Sequence, residues 1–343
     1  MFRSAEAILG VSRGYLGGFL RGAVRRRGIR IFRYHGVVEK RIDPILERNH
    51  HLLEVFATQM AYIRRFHVLG LEELLDSLEN PGRAAKSSAA MVTFDDGFAN
   101  NLTVADVMSR HHLPWCLFVP SGEIGKQQAM WVDELSLLLL AGDARRVAAL
   151  NATWPLSNRD EREWAFQQLR PRLKALPAPA KREAMAAIRA QFPPEESRRL
   201  IARFPSLRML TWHELAQLGN AGVEIGSHGV DHDLHHSEQP LAERRRELTE
   251  SRRELEARLS RPCRAFAFPN GDFVAESPDE VASAGYAAAF TTEARSADPT
   301  TSRYLLPRFS APKSLQRFVR VHWWEERAAM KRSVSAVASR KGT

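Results

Sequence analysis

Two adjacent carboxylates, Asp95 and Asp96, follow a short apolar run at residues 89–92 and precede Gly97. The run predicts a buried strand. Successive strand side chains point to opposite faces, so neighbouring acids can share a site only where the strand ends and the backbone turns. Glycine permits such a turn. Adjacent acids repel unless a cation is near, and a metal ion can supply that charge. The alternative is an N-cap for a helix over residues 98–110.

Two histidines, His228 and His232, lie four residues apart in the polar sequence SHGVDHDLHH. They would share one face of a helix, and they could also converge in a loop. Two imidazoles and one carboxylate form a metal-ligand set that leaves positions for water and substrate. One aspartate of the earlier pair would then hold the metal, and the other would be free to act as a base. The further histidines of this stretch, His235 and His236, leave surface enrichment open as an alternative.

Polar side chains follow predicted strands at several separate points in the chain. In parallel β/α barrels the loops after the strands converge on one face, and sites are built there. Scattered surface polar groups would not select that end repeatedly, so the sequence predicts one shared site. The groups concerned are His35, Asp95 with Asp96, Ser227 and His228 with His232, Pro269 to Gly271, and Arg308.

Alternating strands and helices position these groups. The alternation predicts parallel βα units. Strands are predicted over residues 29–38, 89–92, 115–119, 223–226, 265–268 and 287–291, with a last one near 304–309. Helices are predicted over residues 52–66, 71–78, 98–111, 212–219, 241–259, 279–284 and 313–324.

The alternation stops between residues 130 and 206. The sequence WVDELSLLLL predicts a helix with a broad apolar face, and charged, alanine-rich helical segments interrupted by prolines follow it. No strand is predicted there, and the run is too long to be a loop, so we interpret it as a helical insertion. We expect residues 131–140 to pack beside the active-site cleft and to restrict which acceptor substrates can bind there.

The chain is therefore divided into five segments. They are a basic N-terminal arm (1–28), the first part of the barrel (29–125), the helical insertion (126–206), the second part of the barrel (207–325) and a basic tail (326–343).

The 343 residues carry a net charge of +10, which favours an acidic partner such as an anionic polymer or lipid surface. No zinc finger or RNP-like signature accompanies the charge, so no nucleic acid is expected. Two distant cysteines make neither a disulfide framework nor a zinc knuckle.

The apolar stretch at residues 7–20 is short, and a basic cluster follows it rather than precedes it. This order predicts neither a cleaved signal nor a transmembrane helix. We expect a cytoplasmic protein, with peripheral contact between this arm and an anionic membrane as an option.

Three motifs in order carry a family resemblance: TFDDG at residues 93–97, SHGVDH at 227–232 and FAFPNG at 266–271. They resemble the polysaccharide deacetylases with a NodB-homology domain, also called carbohydrate esterase family four. The YHGV sequence at residues 34–37 is similar to an element of one branch, close to the poly-N-acetylglucosamine deacetylases. The insertion and both termini are not explained by the resemblance.

The resemblance implies an α/β fold, a distorted (β/α)7 barrel of the NodB-homology type, here with a helical insertion. It also implies a divalent metal, usually zinc, with cobalt or another divalent ion as alternatives. Carried over by position, Asp95 would be the general base, and the metal would be held by Asp96, His228 and His232.

Further roles follow from the same resemblance. Thr93 and Ser227 would orient the ligands. The backbone N–H of Asn270, after Pro269, would stabilise the oxyanion. Arg308, in LPRF, is similar to a late arginine of the family that orients the base.

The chain departs from the family pattern at the catalytic acid. Many members carry a C-terminal Leu-x-His motif whose histidine protonates the leaving amine, and no clean match is present. His322 is the only late histidine, and it falls on a predicted helix. His35 is therefore the candidate acid, and the alternative is a strand-end histidine hydrogen-bonded to the metal loop.

The implied activity is hydrolysis of N-acetyl groups on an amino sugar, in a polysaccharide or a lipid-linked glycan precursor. The same chemistry would serve a deformylase or an O-acetyl esterase acting on a sugar. A non-catalytic glycan-binding barrel is a different class, and retention of the base Asp95 argues against it. In a third class, a basic protein associated with membrane or nucleic acid, the histidines would be incidental.

Overall fold

The computed structural model describes residues 28–80, 89–126 and 128–321, and a curved sheet of parallel strands forms its centre. Its strands are β1 (Ile29–Tyr34), β4 (His67–Val68), β5 (Ala89–Phe94), β6 (Cys116–Val119), β9 (Glu224–Ser227), β10 (Ala265–Ala267), β11 (Ala288–Phe290) and β12 (Phe309–Ser310). The sheet order is β11-β10-β9-β6-β5-β1-β12, with β4 pairing along the start of β5.

The last segment of the sheet curls back towards the first strand. Leu306 forms a parallel bridge with Phe290 of β11, and Phe309 and Ser310, three and four residues later, pair with β1. The chain therefore crosses from one edge of the sheet to the other, which gives the distorted (β/α) barrel. This confirms the predicted fold class. Strands covered on both faces need continuous apolar runs, and β5 is buried at every position.

Helices of the barrel alternate with these strands. They are α1 (Leu53–Ile63), α2 (Leu71–Glu79), α3 (Asn101–Arg110), α8 (Trp212–Asn220), α9 (Leu241–Leu259) and α10 (Ser277–Ser283), and residues 315–321 are also helical. A capping box begins α8: the Thr211 hydroxyl accepts from the N–H of Glu214, and the Glu214 carboxylate accepts from the N–H of Thr211. The predicted bounds of α9 are confirmed, and most others differ by a few residues.

The predicted strand over residues 29–38 is broken at His35. β2 (Gly36–Val38) leaves the main sheet and pairs in parallel with β3 (His50–Leu52), a strand that was not predicted. Gly36 allows the close approach, since a Cβ there would lie 2.4 Å from a ring carbon of His50.

The insertion packs around its own hydrophobic core. It contains α4 (Trp131–Ala141), β7 (Arg146–Ala149), β8 (Ala152–Pro155), α5 (Arg159–Ala175), α6 (Ala178–Arg189) and α7 (Glu196–Arg203). Leu135, Leu138 and Phe166 belong to this core, which Leu46 and Phe98 of the barrel also join. The insertion is therefore packed onto the barrel rather than separate from it.

The expectation that the insertion holds no strand is wrong, because β7 and β8 form an antiparallel hairpin. Their turn consists of Leu150 and Asn151, with φ of 51° and 60°. Two positive φ values are typical of the tight turns that match strand twist, but such turns usually carry Asn-Gly or Asp-Gly. Leucine at the first position removes that signal from the sequence.

No helix in the described ranges is long and apolar enough to cross a bilayer. The structure does not describe the N-terminal arm, apart from Gly28 at its end, so the predicted membrane contact of the arm lies outside the described residues. The same holds for the basic tail and His322.

Candidate metal and catalytic site

The Asp95–Asp96 pair lies just beyond the carboxyl end of β5. Asp96 and Gly97 both have positive φ, 77° and 74°, so the backbone reverses at once after the strand. The two carboxylates consequently lie on the same side of the strand end, where both are almost fully buried. The expected alternative, a helix N-cap, is wrong: α3 begins later, with Asn100 at its N-cap position. An antiparallel bridge between Phe98 and Met209 delays the start of the helix.

Arg308 binds the Asp95 carboxylate with both arms of its guanidinium. Nη1 donates to Oδ1 at 2.7 Å and Nη2 to Oδ2 at 2.8 Å. The guanidinium is completely buried and lies over the rings of Phe118 and Phe290. Burial alone would raise the pKa of Asp95, but the charges of Arg308 and its neighbours lower that pKa well below the usual range. Asp95 is therefore held ionised in a fixed orientation.

Thr93 lies behind this pair. Its hydroxyl donates to the carbonyl of Phe32 at 3.1 Å and accepts from Nη1 of Arg308 at 3.3 Å. Arg308 Nε donates to the carbonyl of Thr291. Thr93 thus orients Arg308, rather than touching the carboxylate of Asp96 as a ligand-orienting group would.

Asp96, His228 and His232 converge on one point. One ligand atom from each lies within 4.8 Å of the others, and the two Nε2 atoms are 3.5 and 3.6 Å from Oδ1 of Asp96. His228 Nδ1 donates to the carbonyl of Ala267 at 2.6 Å, which leaves the Nε2 lone pair free for a ligand bond. An Asp-His-His set with open positions suits a catalytic zinc ion or a similar divalent cation.

The charged forms of Asp96, His228 and His232 are disfavoured when no cation is bound. Burial and the neighbouring Asp95 raise the pKa of Asp96 well above its usual range. Burial lowers the pKa of His228 to about 4, and burial together with His228 lowers that of His232 well below its usual range. All three groups are thus pushed towards their neutral forms, and a divalent cation is the partner that would let Asp96 ionise.

The loop that carries His232 is fixed by α9. The Glu247 carboxylate, fully buried, accepts from the backbone N–H groups of Val230 at 2.9 Å and of Asp231 and Asp233 slightly further away. His232 itself has a positive φ of 55°, so its loop needs such support. Sequence reasoning missed Glu247, because one acid among many on a charged helix gives no signal.

Ser227 lies at the start of the same loop. Its Oγ accepts from the N–H of Gly229 at 3.2 Å and lies 2.7 Å from Oγ of Ser251 on α9. The Ser227 hydroxyl therefore links the end of β9 to α9. Its hydrogen bonds go to Ser251 and Gly229, and neither goes to the imidazole of His228 or His232.

His35 borders the cluster on its more open side. Its Nε2 lies 4.0 Å from Oδ2 of Asp96, and its side chain is 18% exposed. Burial and the charge of Arg33 lower the pKa of His35 well below its usual range. The structure thus places His35 beside the site, and its role as an acid stays a prediction.

The Pro269–Asn270 loop adjoins the insertion. Asn270 has a φ of 58°, its Nδ2 donates to Asp272, and its Oδ1 accepts from Nζ of Lys174 at 2.9 Å. Lys174 is at the end of α5, so the insertion reaches the rim of the site. The sequence offered no signal for this residue, since its position depends on how the insertion folds back. The role of the Asn270 N–H stays a prediction.

The family model described as polysaccharide deacetylase matches residues 82–289. No match was found among curated proteins. The structure of the Streptococcus pyogenes deacetylase PplD in complex with acetate has a TM-score of 0.56 and 15% identity, and covers 86% of this chain and 98% of that one. The structure of IcaB from Ammonifex degensii has a TM-score of 0.56 and 16% identity, and covers 88% of this chain and 97% of that one. At these identities the structural likeness shows the fold alone.

Proposed function

We propose a metal-dependent mechanism and an N-acetylated amino-sugar substrate for this chain, which belongs to the polysaccharide deacetylase family. Membership of the family makes it a hydrolase of amide bonds in acetylated sugars. The observation that carries the metal proposal is the convergence of Asp96, His228 and His232 beside a carboxylate, Asp95, that is held ionised.

Asp96, His228 and His232 would hold the metal, with zinc the first candidate and cobalt or another divalent ion as alternatives. When bound, such an ion polarises a carbonyl oxygen and lowers the pKa of a water molecule. The buried, charge-deficient donor set supports this assignment.

Asp95 would accept the proton of the attacking water. A general base must be unprotonated and correctly aimed, and the two hydrogen bonds from Arg308 provide both conditions. The N–H of Asn270 would donate to the developing oxyanion. Arg308 is a positioning residue in this scheme, because it acts through Asp95 alone.

His35 would deliver a proton to the leaving amine. Its low pKa means that the imidazole is neutral at rest, so it would first take up a proton from water and then donate it to the amine. Asp95 would release the proton of the attacking water to solvent, which closes the proton balance of the cycle. The products would be acetate and a free amino sugar. A polysaccharide and a lipid-linked glycan precursor are both candidate acceptors.

Metal analysis combined with acetate release tests this proposal. Asp95→Asn should keep one metal per chain and lose about 10²- to 10⁴-fold in turnover, the range for a general base. His228→Ala should lose the metal, and His213→Ala, which removes an exposed histidine hydrogen-bonded to Gln217, should lose neither metal nor activity.

Full turnover by Asp95→Asn on every N-acetylated oligomer would show that the base is assigned wrongly. Wild-type protein without stoichiometric metal would contradict the metal site. Release of formate, or of acetate only from O-acetyl esters, would identify the deformylase or esterase alternative instead.

A further inference from the structure

Three cationic side chains gather where the insertion meets the barrel. Arg170 and Lys174 lie one turn apart on α5, and Arg48 comes from the segment between β2 and β3. The guanidinium carbons of Arg48 and Arg170 both lie over the ring of Phe166, at 5.2 and 5.4 Å from its centroid. All three side chains are partly buried.

Lys174 connects this cationic cluster with the candidate metal site. Its Nζ donates to Oδ1 of Asn270, a neutral amide on the loop after β10. Asn270 lies three residues after Ala267, whose carbonyl accepts from Nδ1 of His228. The cluster of Arg48, Arg170 and Lys174 therefore borders the candidate metal site.

The charges of this cluster are only partly compensated. Asp133 lies 3.9 Å from Arg48, and the charge of Asp272 acts on Lys174. Arg170 forms no ion pair with any residue in the described ranges, and its guanidinium contacts the ring of Phe166 instead. Like charges one helical turn apart repel, and a partly buried cation without an anionic partner is costly. A bound anion would reduce both costs.

We infer that Arg48, Arg170 and Lys174 bind an anionic group, phosphate or carboxylate, carried by the substrate. The inference rests on the proposed function, in which the N-acetyl group of the same molecule lies at Asp96, His228 and His232. Guanidinium forks match the paired oxygens of these anions, and an ammonium adds a point charge. The substrate class is then an anionic N-acetylated sugar rather than a neutral oligomer.

Calorimetric binding of N-acetylglucosamine 1-phosphate and of N-acetylglucosamine tests the inference without relying on turnover. The wild-type protein should bind the phosphate ester at least about tenfold more tightly, as expected for charge-assisted hydrogen bonds. Arg170→Gln and Lys174→Gln should lose most of this preference. Arg172→Gln is the matched control: it removes the same charge from the same helix, where the guanidinium lies over Trp154 instead.

A disaccharide that joins N-acetylglucosamine to a glucuronate distinguishes carboxylate from phosphate as the bound group. Equal affinity for charged and neutral sugars, or equal losses in Arg170→Gln and Arg172→Gln, would overturn the inference. Equal acetate release from neutral and anionic sugars would also count against it while leaving the deacetylase proposal intact. Tight phosphate binding with no acetate release from any sugar would support the anion site and contradict the proposed function.

Discussion

Arg308 and Asp95 lie 213 positions apart in the chain and form two parallel hydrogen bonds in the centre of the barrel. Both side chains are shielded from water. Removal of one partner from a buried ion pair leaves the other charge uncompensated, which typically costs about 3–5 kcal/mol. Arg308→Met should therefore lower the free energy of unfolding by about that amount, and urea denaturation measures it.

The same pair predicts non-additive behaviour. The double variant Asp95→Asn with Arg308→Met carries no unpaired buried charge, so it should be more stable than Arg308→Met alone. Arg303→Met, which breaks an exposed ion pair with Glu79, should change stability by less than about 1 kcal/mol. A double variant as unstable as the sum of the single ones would show that the pair is not coupled.

Glu247 and the His232 loop give a second prediction. The Glu247 carboxylate accepts hydrogen bonds from several backbone N–H groups around His232. Replacement by glutamine would place a side-chain NH₂ donor against these backbone N–H donors, which leaves donors unpaired. Glu247→Gln should weaken metal binding about 10- to 100-fold, as is typical for groups that orient metal ligands. Competition with a chelator measures it.

Glu250→Gln is the control for that experiment. Glu250 lies on the same helix, is half exposed and has only a loose contact with Arg246 at 3.7 Å. The metal affinity of this variant should equal that of the wild type. If Glu247→Gln also bound metal as the wild type does, Glu247 would have a purely structural role.

The sequence predicted that these barrel residues converge because the signals for it are local. Asp96 and His228 each come after a short predicted strand, and glycines at the turns mark where the chain reverses. Parallel strands bring all such ends to one face, so motifs far apart in the chain converge without any knowledge of contacts. The resemblance to a family then distributed roles among residues that geometry now brings together.

Residues outside these motifs could not be found in the same way. Lys174 reaches Asn270 only because α5 folds back over the barrel, and no local pattern encodes that packing. Glu247 is one acid on a helix that exposes many others, and only its burial against the loop distinguishes it. The hairpin at Leu150 and Asn151 was missed because its turn lacks glycine. Such features depend on tertiary contacts rather than on sequence periodicity.

Gly97 provides a third prediction, on the turn that follows the two aspartates. Its φ is 74°, and a Cβ there would lie 2.9 Å from Cγ1 of Val119. Gly97→Ala should therefore incur backbone strain of about 1–2 kcal/mol and a further 1–3 kcal/mol, roughly, from overpacking. Thermal or urea unfolding measures the sum, and metal binding should weaken as Asp96 shifts.

Gly222→Ala separates the two costs. Gly222 also has a positive φ, 89°, but a Cβ there would meet nothing within 4 Å. This variant should show the backbone strain alone, so its loss of stability should be clearly smaller than that of Gly97→Ala. Equal losses would mean that the crowding against Val119 relaxes without cost.

Asp133 gives the last prediction, a dependence of stability on pH. It lies on α4 of the insertion with a side-chain exposure of 5%, and Arg48 is 3.9 Å away. Burial raises the pKa of Asp133 to about 6, although Arg48 and Lys174 oppose the shift. In the unfolded chain its pKa is about 3.9. Between these values the folded protein binds more protons than the unfolded chain.

The sign follows from that difference in bound protons. The stabilisation linked to Asp133 is fully present below about pH 4 and is lost as pH rises through about 6. Asp133→Asn cannot titrate, so its stability relative to the wild type should grow by about 1 kcal/mol between pH 5 and pH 7. Urea denaturation at equal metal loading measures the difference. Asp143→Asn, at a largely exposed position, should show no such growth. A constant difference for Asp133→Asn would mean that Arg48 keeps the carboxylate ionised throughout.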